Sequence, residues 1–165
     1  MVNDKVGYIR NSVKATVDAY DGTVDLYEFD KNDPVLKAWE GVFPDVVKPE
    51  AEISDELREH FRYPEDMFKV QRDLLARYHV DDPNVFFNND AFWSVPNDPT
   101  AEESRQLNQP PYYVMAADPE TGKPTFQLTT SYRGLNREFL SAHMAVSSEP
   151  ENYGDITVRV LPTNT

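Results

Sequence analysis

Asp18 and Asp25 are the two carboxylates whose spacing supports a chemical argument. They flank Asp21-Gly22, and an Asp-Gly step between two alternating runs favours a two-residue turn with positive φ at both positions. In that register Tyr20 faces Thr23, Ala19 faces Val24, Asp18 faces Asp25 and Val17 faces Leu26. The two carboxylates would then stand roughly 5 Å apart at Cβ, where like charges need a partner. A divalent cation such as calcium or magnesium is the sharper reading. It would take about six to eight oxygens, so carbonyls, waters or further acids would have to join the pair. Neutralisation by Lys or Arg, or plain solvation, is the blander one.

Other candidates are scattered. His60, His79 and His143 are the only histidines, and no zinc-ligand spacing connects them. No serine sits in a Gly-x-Ser-x-Gly elbow, and six glycines build no phosphate loop. The balance therefore falls against an enzyme. Arg133 and Arg137 bracket Gly134-Leu135-Asn136, where two guanidinium forks could grip a carboxylate or phosphate, or pair with the chain's own acids. Trp93, placed in a loop, and the Tyr112-Tyr113 step, where one ring must face outward, are the aromatics best suited to contact a partner or an envelope glycan. Trp39 is assigned instead to the core.

Composition narrows the partners. Twenty-nine acidic against sixteen basic residues give a net charge of -13, which repels nucleic acid and anionic membrane surfaces. With no cysteine there is no disulfide, thiolate zinc site or thiol nucleophile. No apolar run approaches the ~20 residues of a membrane helix, so direct insertion of this segment is not expected. The start, Met-Val-Asn-Asp-Lys-Val, lacks the apolar stretch of a secretion signal. A chain of 165 residues suits one domain, 1–165.

The elements that must position these residues follow from period and punctuation. The first hairpin, 13–29, presents Val13, Ala15, Val17, Ala19, Val24 and Leu26 on one face, expected to be the core side. Asp33-Pro34 reads as cap and first turn of a short helix with Val35, Leu36, Trp39 and Val42 on one stripe, ended by Pro44. Ser54 caps a second helix, which Pro64 separates from a third carrying Met67, Val70, Leu74 and Tyr78. Residues 81–110 read as a long irregular connection clipped by Phe86, Phe87, Phe92 and Trp93, with 97–109 as a mobile loop holding one helical turn at most. Two further hairpins pair Tyr113, Met115 and Ala117 with Phe126, Leu128 and Thr130, and Leu140 to Val146 with Ile156 to Val160. The expected class is α+β: an antiparallel sheet of about six strands built from three hairpins, with two to three helices inserted after the first.

The ordered strings Arg10-Asn11-Ser12-Val13-Lys14-Ala15, Asp18-Ala19-Tyr20-Asp21-Gly22-Thr23-Val24, Arg62-Tyr63-Pro64-Glu65-Asp66, Tyr78-His79-Val80, Phe86-Phe87, Phe92-Trp93, Pro111-Tyr112-Tyr113 and Tyr153-Gly154 resemble uncharacterised protein family 0182 nearly end to end. The chain departs from the family pattern at Arg137-Glu138-Phe139-Leu140, where an Arg-x-Asn-Leu run is expected. The resemblance implies large multi-pass membrane proteins with an extensive extracytoplasmic region, of which this chain would be one segment. It carries over no catalytic residue. The function expected from it is a noncatalytic interaction or scaffold domain on the extracytoplasmic side of the cell membrane, with the rest of the parent membrane protein or other envelope proteins as partners. The alternative is a module binding a divalent cation or an envelope glycan.

Overall fold

The computed structural model describes residues 7–89, 91–102, 105, 107–118 and 121–162. These fall into two compact units divided between Met67 and Phe68. Among the described residues are four α-helices and two sheets, of three and five strands. The class is α+β as expected, but one sheet of about six strands is not what forms. The first hairpin belongs to a sheet of its own, and the other two hairpins make the second sheet.

In the first unit, β1 (Val13–Val17) and β2 (Val24–Glu28) are antiparallel, and β3 (Val47–Lys48) joins β2 in parallel through Leu26 and Val47. The hairpin register departs by two residues from that of a two-residue turn: Ala15 pairs with Leu26, Thr16 with Asp25 and Val17 with Val24. Asp18 is the cause. Its carboxylate accepts the Tyr20 N–H at 2.7 Å, its own N–H donates to Thr23 O at 2.8 Å, and the Gly22 N–H donates to Asp18 O at 2.9 Å. Only Gly22, at φ +78°, then needs the left-handed region, and Asp21 is spared it.

A two-residue slip leaves every side chain on its expected face, yet burial is the reverse of the expectation. Val13, Val17 and Val24 are exposed, whereas Lys14 and Tyr27 are buried. The polar-looking face is the covered one because Phe61 closes over it. Lys14 Nζ lies 4.9 Å from the Phe29 ring centroid and 5.4 Å from that of Phe61, and donates to Arg62 O at 3.2 Å.

α1 (Pro34–Val42) starts as its sequence requires, with Pro34 in the first turn and the Asp33 carboxylate accepting the Val35 N–H at 2.9 Å. The same buried carboxylate accepts the Ser12 hydroxyl and, at 2.6 Å, the Tyr8 hydroxyl. These hydrogen bonds hold its pKa down at about 2. A carboxyl depressed in the folded state stabilises fully above its ordinary value of 3.8 and loses that contribution as pH falls toward about 2. Asp33→Asn should therefore lower the thermal midpoint at neutral pH, and the gap from the wild type should close between pH 4 and pH 2, as followed by circular dichroism. α2 (Asp55–Glu59) follows, capped by the Ser54 hydroxyl accepting the Leu57 N–H at 3.2 Å.

α3 (Glu65–Tyr78) runs across the division. Its buried residues are Phe68, Arg72 and Ala76, while Leu74 and Tyr78 of the expected stripe are exposed. The face is rotated toward Arg72 because that guanidinium is satisfied in place: Nη1 donates to Gln109 O and Nε to Asp73 Oδ1, each at 3.1 Å. α4 (Pro83–Asn88) replaces the first part of the expected irregular connection. It uses the signature of α1, an aspartate accepting from the second residue of the helix, Asp82 from Asn84 N–H at 2.8 Å, with proline at the first position.

The second sheet comprises β4 (Trp93–Ser94), β5 (Tyr112–Ala117), β6 (Pro124–Gly134), β7 (Leu140–Ser147) and β8 (Ile156–Val160). Both expected hairpins are present, with Tyr113 opposite Leu128, Met115 opposite Phe126, Met144 opposite Val158 and Val146 opposite Ile156. β6 pairs with β7 to join them, and β4 and β5 share the other edge of β6. One face carries the core residues Leu128, Tyr132, Ala142, Met144 and Val146. The 97–109 segment is hydrogen-bonded at its ends, Asp98 N–H to Leu107 O and Gln109 N–H to Pro96 O, each 2.8 Å. The helical turn expected at 101–105 includes residues outside those described.

Candidate functional site

The first unit carries a groove of about 530 Å³ between α1, the outward face of the hairpin and the Tyr8–Arg10 segment. It exists because two apolar faces, each dictated by the sequence, are left uncovered. α1 buries only Leu36 and exposes Val35, Trp39 and Val42. Just past its end, Phe43 stacks on Trp39 with centroids 5.4 Å apart, forming an exposed aromatic wall. Val13 and Leu26 of the hairpin line the opposite side with Val47. Contiguous apolar surface of this kind on a small acidic chain marks a contact site, because exposing it costs roughly 25 cal/mol per Å².

The rim is polar and self-satisfied. Arg10 pairs with Asp30 at 2.6 Å, and Asp33 is held by Tyr8 and Ser12. The Asp33 carboxylate is thus engaged by two hydroxyls and the Val35 N–H, and the rest of the lining is mainly apolar.

The residues singled out from the sequence do not converge. Asp25 stands opposite Thr16, not opposite Asp18, and pairs with Lys48 at 2.9 Å, a contact that raises the lysine's pKa chiefly through the hydrogen bond to Asp25. Asp18 organises its loop. Both still line one shallow depression together with Asp21, but among the described residues no group of three or more His, Asp or Glu is arranged to hold a metal ion.

Trp93 is not a free loop ring. It lies on β4, with His79 stacked on it at 3.6 Å between centroids and Tyr132 at 5.2 Å. The His79 ring is fixed from both ends, Nδ1 2.8 Å from Leu75 O and Nε2 3.1 Å from Ala91 O. Tyr112 and Tyr113 are both exposed, and Tyr113 stacks on Phe126 at 5.7 Å. Arg133 donates to Ser94 Oγ at 3.2 Å and pairs with Glu138 at 3.1 Å, whereas the Arg137 guanidinium lies 5.6 Å from the Phe139 ring. The two arginines thus form no joint anion clamp.

Sequence reasoning missed the groove although it named the residues, because it assigned Val35, Trp39 and Val42 to the core. The available signal was the scarcity of apolar segments in residues 1–67 able to cover both α1 and the outward hairpin face.

Comparison with known proteins bears on what could cover it. The model of the uncharacterised protein family UPF0182 matches residues 1–165. The chain belongs to this family. It is 74% identical over 165 residues to the UPF0182 protein of Corynebacterium glutamicum strain R, covering 99% of this chain and 17% of that protein. It is 71% identical to a UPF0182 protein of Corynebacterium diphtheriae, covering 100% and 17%, and 65% identical to one of Nocardia farcinica, covering 98% and 16%. The UPF0182 chain thus spans about a sixth of the length of the curated relatives it matches. No solved structure matches it. No helix among its described residues is long and apolar enough to cross a membrane.

Proposed function

We propose that this UPF0182 chain is a noncatalytic interaction module of a longer membrane protein, placed on the extracytoplasmic side, whose α1 groove receives an apolar segment of the same polypeptide. The observation that carries the reading is the pairing of two uncovered apolar faces, Val35, Trp39 and Val42 on α1 and Val13 on the hairpin. Most of the polypeptide in the relatives lies outside the matched segment, so an intramolecular occupant is at hand. A second copy of the chain is a poorer occupant, since each copy would bring a charge of -13.

The test places a photo-crosslinking p-benzoylphenylalanine at position 39, with the segment exchanged for its counterpart in the Corynebacterium glutamicum protein. Irradiation should join position 39 to another part of the same polypeptide, identified by mass spectrometry. An uncrosslinked protein whose position 39 remains open to a water-soluble label would overturn the reading. So would a crosslink confined to a second copy.

A further inference from the structure

The face of the second sheet opposite its core has a feature that the groove does not explain. β5, β6, β7 and β8 together floor a trough of about 180 Å³. It dips at Ala145 on β7, which is small, and the residues paired with Ala145 on either side are polar, Thr129 from β6 and Thr157 from β8. No helix need cover such a face, yet Gln127, Thr129, His143 and Ala145 are only partly exposed.

At one end His143 and Arg159 stand directly opposite each other in the β7–β8 register. An arginine directly across from a histidine normally attracts a carboxylate from the protein, and this chain has 29 acidic residues. Among the described residues, however, Arg159 forms no ion pair. Neither ring nitrogen of His143 nor the hydroxyl of Thr157 has a hydrogen-bond partner among them either. Burial, and next the charge of Arg159, lower the pKa of His143.

We propose that the trough binds a small monocarboxylate, its carboxylate seated on the Arg159 fork beside His143 and its remainder lying over Ala145 toward Thr129. A planar carboxylate matches a guanidinium fork bidentately. The trough is shallow and open, a scale that suits a small ligand. Asp155 lines the far end of the same trough, four residues along β8 and therefore about 13 Å from Arg159. Asp118 lies there too, and the two acids disfavour a ligand with a second negative charge. The site belongs to the second unit and does not depend on the docking role of the α1 groove.

The experiment is a nuclear magnetic resonance titration of the chain with acetate and glycolate, at constant ionic strength, with inorganic phosphate as comparator. Saturable shifts should concentrate on Ala145, Thr157 and the Arg159 Nε–H, and the bound carboxylate should raise the pKa of His143 by supplying the missing counter-charge. Arg159→Gln, at an exposed position without an ion pair, should keep the thermal midpoint and abolish both effects. Three results would overturn the proposal: no saturation with either carboxylate, shifts that persist in Arg159→Gln, or phosphate binding as well as or better than the carboxylates.

Discussion

Tyr132→Ala should unfold the second unit at a much lower urea concentration than the wild type, with a loss of about 3–5 kcal/mol, the range for removing a fully buried aromatic side chain. Tyr132 has 0% exposure near the C-terminal end of β6, against the ring of Trp93 and the sulfur of Met144, which lies 3.2 Å from its hydroxyl. Its hydroxyl also donates to Arg72 O at 2.9 Å, tying the sheet to α3. Burial pushes the phenol pKa above its ordinary value, so the proton that makes this bond stays on throughout the accessible pH range.

Tyr132→Phe separates the two contributions. It keeps the ring and removes only the hydroxyl, and should cost about 0.5–1.5 kcal/mol. Trp93, whose ring lies 5.2 Å from that of Tyr132, reports the second unit by fluorescence, and Trp39 reports the first. Replacing one tryptophan at a time by phenylalanine separates their signals. An alanine variant that loses less than the phenylalanine range would show that Tyr132 is not central to this core.

The parts of the fold legible in the sequence were those governed by neighbours along the chain. Asp33-Pro34 announces α1 because cap and fixed φ act within three residues, and the strand pairings of β5 with β6 and β7 with β8 follow from period two. Asp82-Pro83 carries the same signal for α4, but its Asn- and Pro-rich surroundings read as an irregular connection. The first register was lost to a single side chain: Asp18 takes the Tyr20 N–H and enlarges the loop before Asp21-Gly22 can form a two-residue turn. The same Asp-x-x-x-Gly spacing recurs at Asp118 and Gly122, where Gly122 N–H donates to Asp118 O at 2.7 Å with φ +70°. The spacing is therefore a readable signal.

What the sequence hid is decided by distant partners. Burial of Lys14 needs Phe61, and the rotation of α3 needs Gln109 and Tyr132. The third strand of the first sheet is held by a two-residue parallel bridge that no periodicity announces. The trough is an intermediate case. His143 and Arg159 are sixteen positions apart, and although the hairpin that holds them was expected, its register, which places them opposite each other, was not. Arg159 was not singled out and His143 was weighed only for zinc spacing, because neither belongs to a motif, and a cross-strand register makes a site without one.

Lys14→Met should stabilise the first unit at neutral pH, and the size of that gain should shrink as the solution is made alkaline. Lys14 is 9% exposed, and burial lowers its pKa from 10.5 to about 8. Below pH 8 the folded and unfolded states both carry the charge and the folded state bears the whole desolvation cost. Between 8 and 10.5 the unfolded chain binds more protons than the folded one, so stability rises with pH. Above that range both are neutral and the cost is gone. The shift corresponds to at most about 3 kcal/mol. The faces of Phe29 and Phe61 and the Arg62 carbonyl favour the ammonium and offset part of what methionine would gain, so about 1–2 kcal/mol is the expected net stabilisation at pH 7. Subtracting the variant's urea-unfolding profile from the wild type's removes every other lysine and tyrosine that titrates in the same range. A difference that stays flat from pH 7 to pH 10, or a variant less stable than the wild type at pH 7, would mean that the aromatic faces outweigh desolvation and that Lys14 is held as a favourable buried cation.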